Sequence, residues 1–261
     1  MRSVIKLGGS VLVNKALRLK LVFQISELRR SGKQVVLVHG GGKQIAEMLA
    51  RLNIESKFHD GLRITDAAAR EVIQMVLAGK VGKDLVADLA RINVPAVSFT
   101  GGDAMSFLST KLKAKDGADL GFVGQVVRTD GKLIDAVLGI NAIPVIACLA
   151  LSAHDFSYHN VNGDQMAAAV APACQADELI FVTDVGGVKD EHGVTIPHLK
   201  RERIAELLDS GVAHGGMRPK LRACVSALEA GVKRILIVGA AEEQALVRAC
   251  LQQEAVGTVI V

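Results

Sequence analysis

Val4-Ile5-Lys6-Leu7-Gly8-Gly9-Ser10 reads as a buried strand that runs straight into a glycine turn. Val35-Val36-Leu37-Val38-His39-Gly40-Gly41-Gly42-Lys43 follows the same plan one helical pattern later. A strand that ends in glycines presents bare backbone N–H groups, and a helix starting there adds its N-terminus. Together they attract anions with no Cβ in the way. One such turn is ordinarily only a tight turn. Two on neighbouring strands are placed to hold two anionic groups side by side. Neither is a P-loop, because Gln44 follows Gly42-Lys43 and Leu37 stands where the first glycine of G-x-x-x-x-G-K-[ST] belongs. Neither is a dinucleotide fingerprint, because Ser10 occupies the second glycine position of G-x-G-x-x-G and no acid follows at the expected distance.

Outward from these turns, apolar β-rich runs alternate with helical patterns to the end of the chain. Ala96 to Phe99, Ile143 to Cys148, Leu179 to Val182, Ile235 to Val238 and Thr258 to Val261 read as strands. The fold class is therefore α/β, with a largely parallel, buried sheet. Asn14 is placed to cap a helix running toward Arg30 and closed by Gly32. Phe107 to Lys113 and Val123 to Leu133 alternate polar with apolar, and Asp130-Gly131 suits a hairpin, so a small antiparallel flap is expected there. The polar stretch Ser152 to His159 is expected to mark a passage between two lobes.

Composition excludes several classes. Half of the 261 residues are apolar and 22% are charged, so the chain folds throughout instead of remaining a solvated tail. The net charge of +4 is modest and spread out, and with no Trp and one Tyr there is neither a basic stripe nor a stacking surface for nucleic acid. A mild positive excess suits small anions. Cys148, Cys174, Cys224 and Cys250 form no ligand cluster and read as buried free thiols, which fits a reducing cytoplasm. Lys6 and two glycines interrupt the first apolar run, so export is not expected, and the longest apolar run, Ile143 to Leu151, is too short to span a bilayer.

Three later motifs share the strand, turn and helix setting. Asn160-Val161-Asn162-Gly163-Asp164-Gln165 precedes an alanine-rich helix, where Asn162 or Asp164 suits a cap. Thr183-Asp184-Val185-Gly186-Gly187-Val188 ends a strand, where open α/β sheets bind ligands. Gly215-Gly216-Met217-Arg218-Pro219-Lys220 opens a long helix. Lys220 at a helix N-terminus is electrostatically unfavourable unless an anion lies beside it. Lys6 in a buried strand likewise needs a partner, and a phosphate or Asp164 would serve.

In this order, KLGGS at Lys6, VHGGGKQI at Val38, DGLRITD at Asp60, NVNGDQ at Asn160, TDVGGV at Thr183 and GGMRPK at Gly215 resemble the amino acid kinase family. Within it they resemble the acetylglutamate kinase branch, from Ser3 to Val261. The resemblance implies a three-layer α/β sandwich of two lobes. Residues 1–173 would bind the acylated amino acid and dimerise, and residues 174–261 would bind ATP. It implies transfer of a phosphoryl group from ATP, carried with Mg2+, to the γ-carboxylate of N-acetyl-L-glutamate, giving the 5-phosphate in arginine biosynthesis. Lys6 and Lys220 match the two lysines that embrace the transferred group, and Asp164 the acid that organises them. Gly8, Gly9, Thr183 and Asp184 would seat the nucleotide, and Gly41, Gly42, Arg63 and Asn160 the acceptor, Arg63 clamping its α-carboxylate. No protein-held metal is implied. The first strand begins by residue 4, where arginine-inhibited relatives carry an extra helix, so a cytoplasmic homodimer without arginine feedback is expected.

The chemistry supports these roles independently. A carboxylate is already ionised at neutral pH, so the nucleophile needs no general base, and the task is to position two anions and neutralise their repulsion. Related kinases of carrier-linked aminoadipate or glutamate, or of isopentenyl phosphate, are the alternatives within the fold. A catalytically idle sensor would have lost Lys6, Asp164 or Lys220. Departures from the branch are Gly82 in place of asparagine, Cys148 in a segment that lacks an expected glycine, and Arg218 in place of an apolar residue.

Overall fold

Val4, Ile5 and Leu7 are at most 1% exposed, as are Val35 to Val38, which is the burial of strands paired on both sides and covered on both faces. In the computed structural model, which describes residues 1–254 and 256–261 and only the backbone of Ser10, these runs form the middle of an eight-stranded sheet. Its order is His198–Leu199, Thr258–Ile260, Arg234–Gly239, Glu178–Thr183, Arg2–Leu7, Gln34–His39, Ile143–Ala147, Ala96–Thr100. Every neighbouring pair is parallel except Arg234–Gly239 with Thr258–Ile260. The α/β class and the largely parallel sheet read from the sequence both hold. Register sets Lys6 between Val38 and Phe181, so the turns after Leu7, His39 and Thr183 emerge together at one edge. That edge is where parallel sheets bind ligands.

Local chemistry fixes the helices. Asn14 accepts a hydrogen bond from Leu17 N at 3.1 Å and starts the Lys15–Arg30 helix, and Gly32 follows it with φ of +88°, as expected. Asp66 caps Ala67–Gln74 through Ala69 N. Two elements were not foreseen. A short helix, Gly9–Val13, starts inside the first glycine motif, and Met75–Val81 is a π-helical segment inserted between Ala67–Gln74 and Gly82–Ala90.

The flap expectation needs correction. Phe107–Lys111 and Val123–Thr129 do pair antiparallel, but through the connection at 112–122 instead of Asp130-Gly131. Gly131 begins the Lys132–Gly139 helix, and a Cβ on it would stand 2.2 Å from Ala173 O, so close packing and not a hairpin demands the glycine. With Leu149–Ser152 and Tyr158–Val161 the two strands close a four-stranded barrel. Ser152 to His159 is therefore a turn between two barrel strands, not a passage between lobes.

The departures have local reasons. A Cβ on Gly82 would lie 3.2 Å from Ser98 Cβ and 3.3 Å from Leu77 O. Arg218 donates to Leu208 O at 2.9 Å and so ties the Arg201–Asp209 helix to the start of Met217–Glu229. Cys148 is buried and donates its backbone N–H to His39 O. All four cysteines are free and buried. Among the described residues no helix is long and apolar enough to cross a membrane.

Candidate active site

Asn162 caps the Gly163–Ala173 helix, accepting from Asp164 N at 2.9 Å and Gln165 N at 3.3 Å. This places the Asp164 carboxylate in the first turn, where the helix dipole favours an anion. Lys220 Nζ donates to Asp164 Oδ2 at 2.9 Å, and Lys6 Nζ lies 2.7 Å from Oδ1, ionic in distance although not aligned as a hydrogen bond. Three residues remote in sequence thus meet in one buried cluster of two cations and one anion. Burial alone would raise Asp164, but Lys6 and Lys220 outweigh it and hold the carboxyl below its ordinary range. Burial lowers Lys220 more than Asp164 restores it. The cluster carries surplus positive charge, as a phosphoryl site requires.

The cluster forms one wall of a cavity of about 630 Å³. Gly8, Gly9, Thr183 and Asp184 line it, so all four residues expected at the nucleotide share one space with Lys6, Asp164 and Lys220. Thr183 Oγ1 donates to Asp184 Oδ1 at 3.1 Å. The Gly9–Val13 helix starts at the cavity with no side-chain cap and no acid in its first turn, whereas Met217 N and Arg218 N at the start of Met217–Glu229 already donate to His214 O and Gly215 O, and Pro219 has no N–H. Sequence reading left Val185, Val188, Val212, His214 and Met217 out of the site. Val185, Val188, Val212 and Met217 offer apolar surface for a flat ring, and nothing in their spacing announces it.

The residues expected at the acceptor form a second, adjoining group outside that cavity. Arg63 is buried, donates to Gly42 O at 3.1 Å and to Ser56 Oγ, and lies 4.6 Å from the centre of the Phe58 ring. Burial pushes its guanidinium below the ordinary value, although an arginine stays charged. Thr65 Oγ1 donates to Arg63 O at 3.0 Å and accepts from Asn160 Nδ2 at 3.2 Å, linking Arg63 to Asn160. Thr65 carries this link and was missed, since a lone threonine has no signature. A Cβ on Gly41 would stand 2.7 Å from Leu77 Cδ2, so this turn is glycine because the π-helical segment presses on it. The two groups touch through glycines: a Cβ on Gly9 would meet Gly42 N at 3.4 Å, and one on Gly163 would meet Lys6 Cε at 3.2 Å and Gly40 Cα at 3.8 Å.

The model of the amino acid kinase family matches residues 1–239. The chain belongs to that family. Among curated relatives it is 42% identical over 258 residues to the acetylglutamate kinase of Acidobacterium capsulatum, covering 99% of this chain and 98% of that one. It is 42% identical over 246 residues to the acetylglutamate kinase of Koribacter versatilis, covering 94% and 93%. Among solved structures, the N-acetylglutamate synthase of Neisseria gonorrhoeae complexed with coenzyme A and N-acetyl-glutamate superposes with a TM-score of 0.87 at 26% identity. That match takes in all of this chain and 59% of the synthase. The smu.665 protein of Streptococcus mutans matches with a TM-score of 0.83 at 29% identity, over 100% of this chain and 98% of that one. An isopentenyl phosphate kinase, with a TM-score of 0.68 at 20% identity, shares the amino acid kinase fold alone.

Proposed function

We propose that the chain transfers the γ-phosphoryl group of ATP to the side-chain carboxylate of N-acetyl-L-glutamate, making N-acetyl-L-glutamyl 5-phosphate and ADP for arginine biosynthesis. The observation that carries the reading is Asp164 held between Lys6 and Lys220 on the wall of a glycine-lined cavity, in a chain similar over its full length to acetylglutamate kinases.

In this reading a carboxylate oxygen of the acceptor forms a bond to the γ-phosphorus while the bond from that phosphorus to the β,γ-bridging oxygen breaks. No proton moves, so no general base is needed. Arg63 holds the acceptor's α-carboxylate, Asn160 and the N–H groups of Gly41 and Gly42 fix its orientation, and Gly8, Gly9, Thr183 and Asp184 seat the nucleotide. Lys6 and Lys220 approach the phosphoryl oxygens from two sides and offset the charge that opposes the encounter. Asp164 is an organiser, its oxygens each committed to a lysine.

Mg2+ fits as an ion carried on the nucleotide phosphates. No group of three or more His, Cys, Asp or Glu side chains that could cage a metal exists among the described residues. When bound it would supply charge neutralisation between phosphates. The same reading assigns residues 1–173 to the acceptor and dimer contacts and residues 174–261 to the nucleotide. A homodimer in the cytoplasm completes it, the free buried thiols suiting a reducing compartment.

The test is ATP-dependent ADP release across N-acetylglutamate, free glutamate, N-acetylaspartate, aminoadipate derivatives and isopentenyl phosphate, with hydroxylamine trapping the acyl phosphate formed from the carboxylate acceptors. Turnover confined to N-acetylglutamate is expected. Turnover of another acceptor alone would refute the substrate, and no ATP consumption with any would refute the enzyme.

A further inference from the structure

Lys220 is almost wholly buried, yet among the described residues only one of its ammonium hydrogens has a hydrogen-bond acceptor, Asp164 Oδ2 at 2.9 Å. An ammonium has three donors and no tolerance for an apolar wall without compensation. The compensation is an aromatic face: the Phe181 ring centre lies 4.9 Å from Lys220 Nζ, and Phe181 is 0% exposed. Phe181 is the register neighbour of Lys6 on the adjacent parallel strand. A single residue of the sheet thus stands beside one lysine of the cluster and under the other.

We infer that Phe181 is a positioning residue for phosphoryl transfer, its ring face holding the Lys220 ammonium beside Asp164 so that the remaining N–H points to the transferred group. The inference rests on Lys220 serving the phosphoryl group as proposed above. Its physics is specific. Two cations share one carboxylate, so Asp164 cannot fully satisfy either lysine, and a ring quadrupole adds attraction without adding a charge that would compete for Lys6. A leucine would keep an apolar side chain there, with some loss of volume, and lose that attraction. The titratable groups that face Lys220 are Asp164 from the Gly163–Ala173 helix, Lys6 from the first strand and Cys224 on its own helix. None of them is supplied by the Phe181 strand, so a change in the ring is read separately from a change in those charges.

The experiment replaces Phe181 with mono-, di- and trifluorinated phenylalanine, which withdraws the face charge stepwise while keeping the shape, with Phe181→Leu as a simpler companion. Two readouts are taken on the full chain: kcat and KM for ATP, and the pH titration of the Lys220 15Nζ resonance. The expected result is a graded fall in kcat reaching roughly tenfold at three fluorines, with little change in KM for ATP and a stepwise downward move of the Lys220 titration. Thermal melts confirm that the fluorinated proteins stay folded. A flat kcat across the series overturns the inference, and so does a Lys220 titration indifferent to the ring. If the unsubstituted chain transfers no phosphoryl group, the functional reading fails by itself, and the titration still reports whether the ring holds Lys220.

Discussion

Gly163 lies so close to the Lys6 side chain that a methyl group on it would stand 3.2 Å from Cε and 3.8 Å from Nζ. A methyl group there would have to push the Lys6 side chain a few tenths of an ångström from its place beside Asp164. Gly163→Ala should therefore lower kcat by roughly tenfold through displacement of the ammonium. Because alanine is a better helix former than glycine, stability should hold or rise slightly. Steady-state kinetics beside a thermal melt check both halves.

Asp164→Asn removes the anion that holds both lysines, and kcat should fall by about a hundredfold or more, since groups aimed at developing charge are worth that much. Near-normal kcat would refute the organiser role. The same variant carries a pH signature. The folded Asp164 carboxyl sits below its ordinary value, so its stabilising contribution is complete above about pH 4, the unfolded value. It is lost as pH falls through the depressed folded value. The stability gap between the parent and Asp164→Asn should be constant near neutrality and close only in that acid window, as read by denaturant unfolding.

Arg63→Lys keeps the charge and loses the planar fork that spans Gly42 O and Ser56 Oγ over the Phe58 ring. A lysine cannot bind a carboxylate through two parallel N–H groups. KM for the acceptor should rise by about a hundredfold and KM for ATP by little, which separate titrations of the two substrates would measure. A matched rise in both would show that Arg63 supports the fold and not the acceptor.

Burial drives His39 down to about 4, only partly offset by its bond to Gly40 O. The unfolded chain takes up this proton as pH falls through about 6.5, and the folded chain does not until about 4. Stability should therefore decline across that window, by on the order of 3 kcal/mol, and level off below it. His39→Gln should flatten this slope in urea unfolding at a series of pH values. An unchanged slope would assign it to other groups.

Most of the sheet was legible because parallel strands buried on both faces read as unbroken apolar runs, and each run from Val4 to Val261 falls on a strand of the structure within a residue or two. The barrel was half legible. Alternation marked Phe107–Lys111 and Val123–Thr129, but their partners depend on Leu149–Ser152 and Tyr158–Val161, contacts no local pattern encodes. Asp130-Gly131 misled because a glycine demanded by packing on Ala173 looks the same as one demanded by a turn. In the site, Lys6 and Lys220 stood out as charges in places that charges avoid, and Asp164 as an acid at a helix start that could partner them. Phe181 and Thr65 did not, since a phenylalanine in a strand and a threonine in a turn break no rule.

The Lys6–Asp164–Lys220 cluster joins the first strand to a helix past the middle of the chain and to another near its end. While the protein is being made, the first strand emerges with a lysine destined for burial whose counter-ion has yet to be synthesised. That strand cannot settle into its final place until both of its sheet neighbours and the Gly163–Ala173 helix have appeared, a long-range assembly of the kind that folds slowly. On the roles proposed for the cluster, a chain halted between its middle and Lys220 would carry every glycine loop of the first half and still be catalytically silent. On the same roles, turnover reports that the first strand, the Gly163–Ala173 helix and the start of Met217–Glu229 have come together, which no fragment ending before Lys220 can achieve.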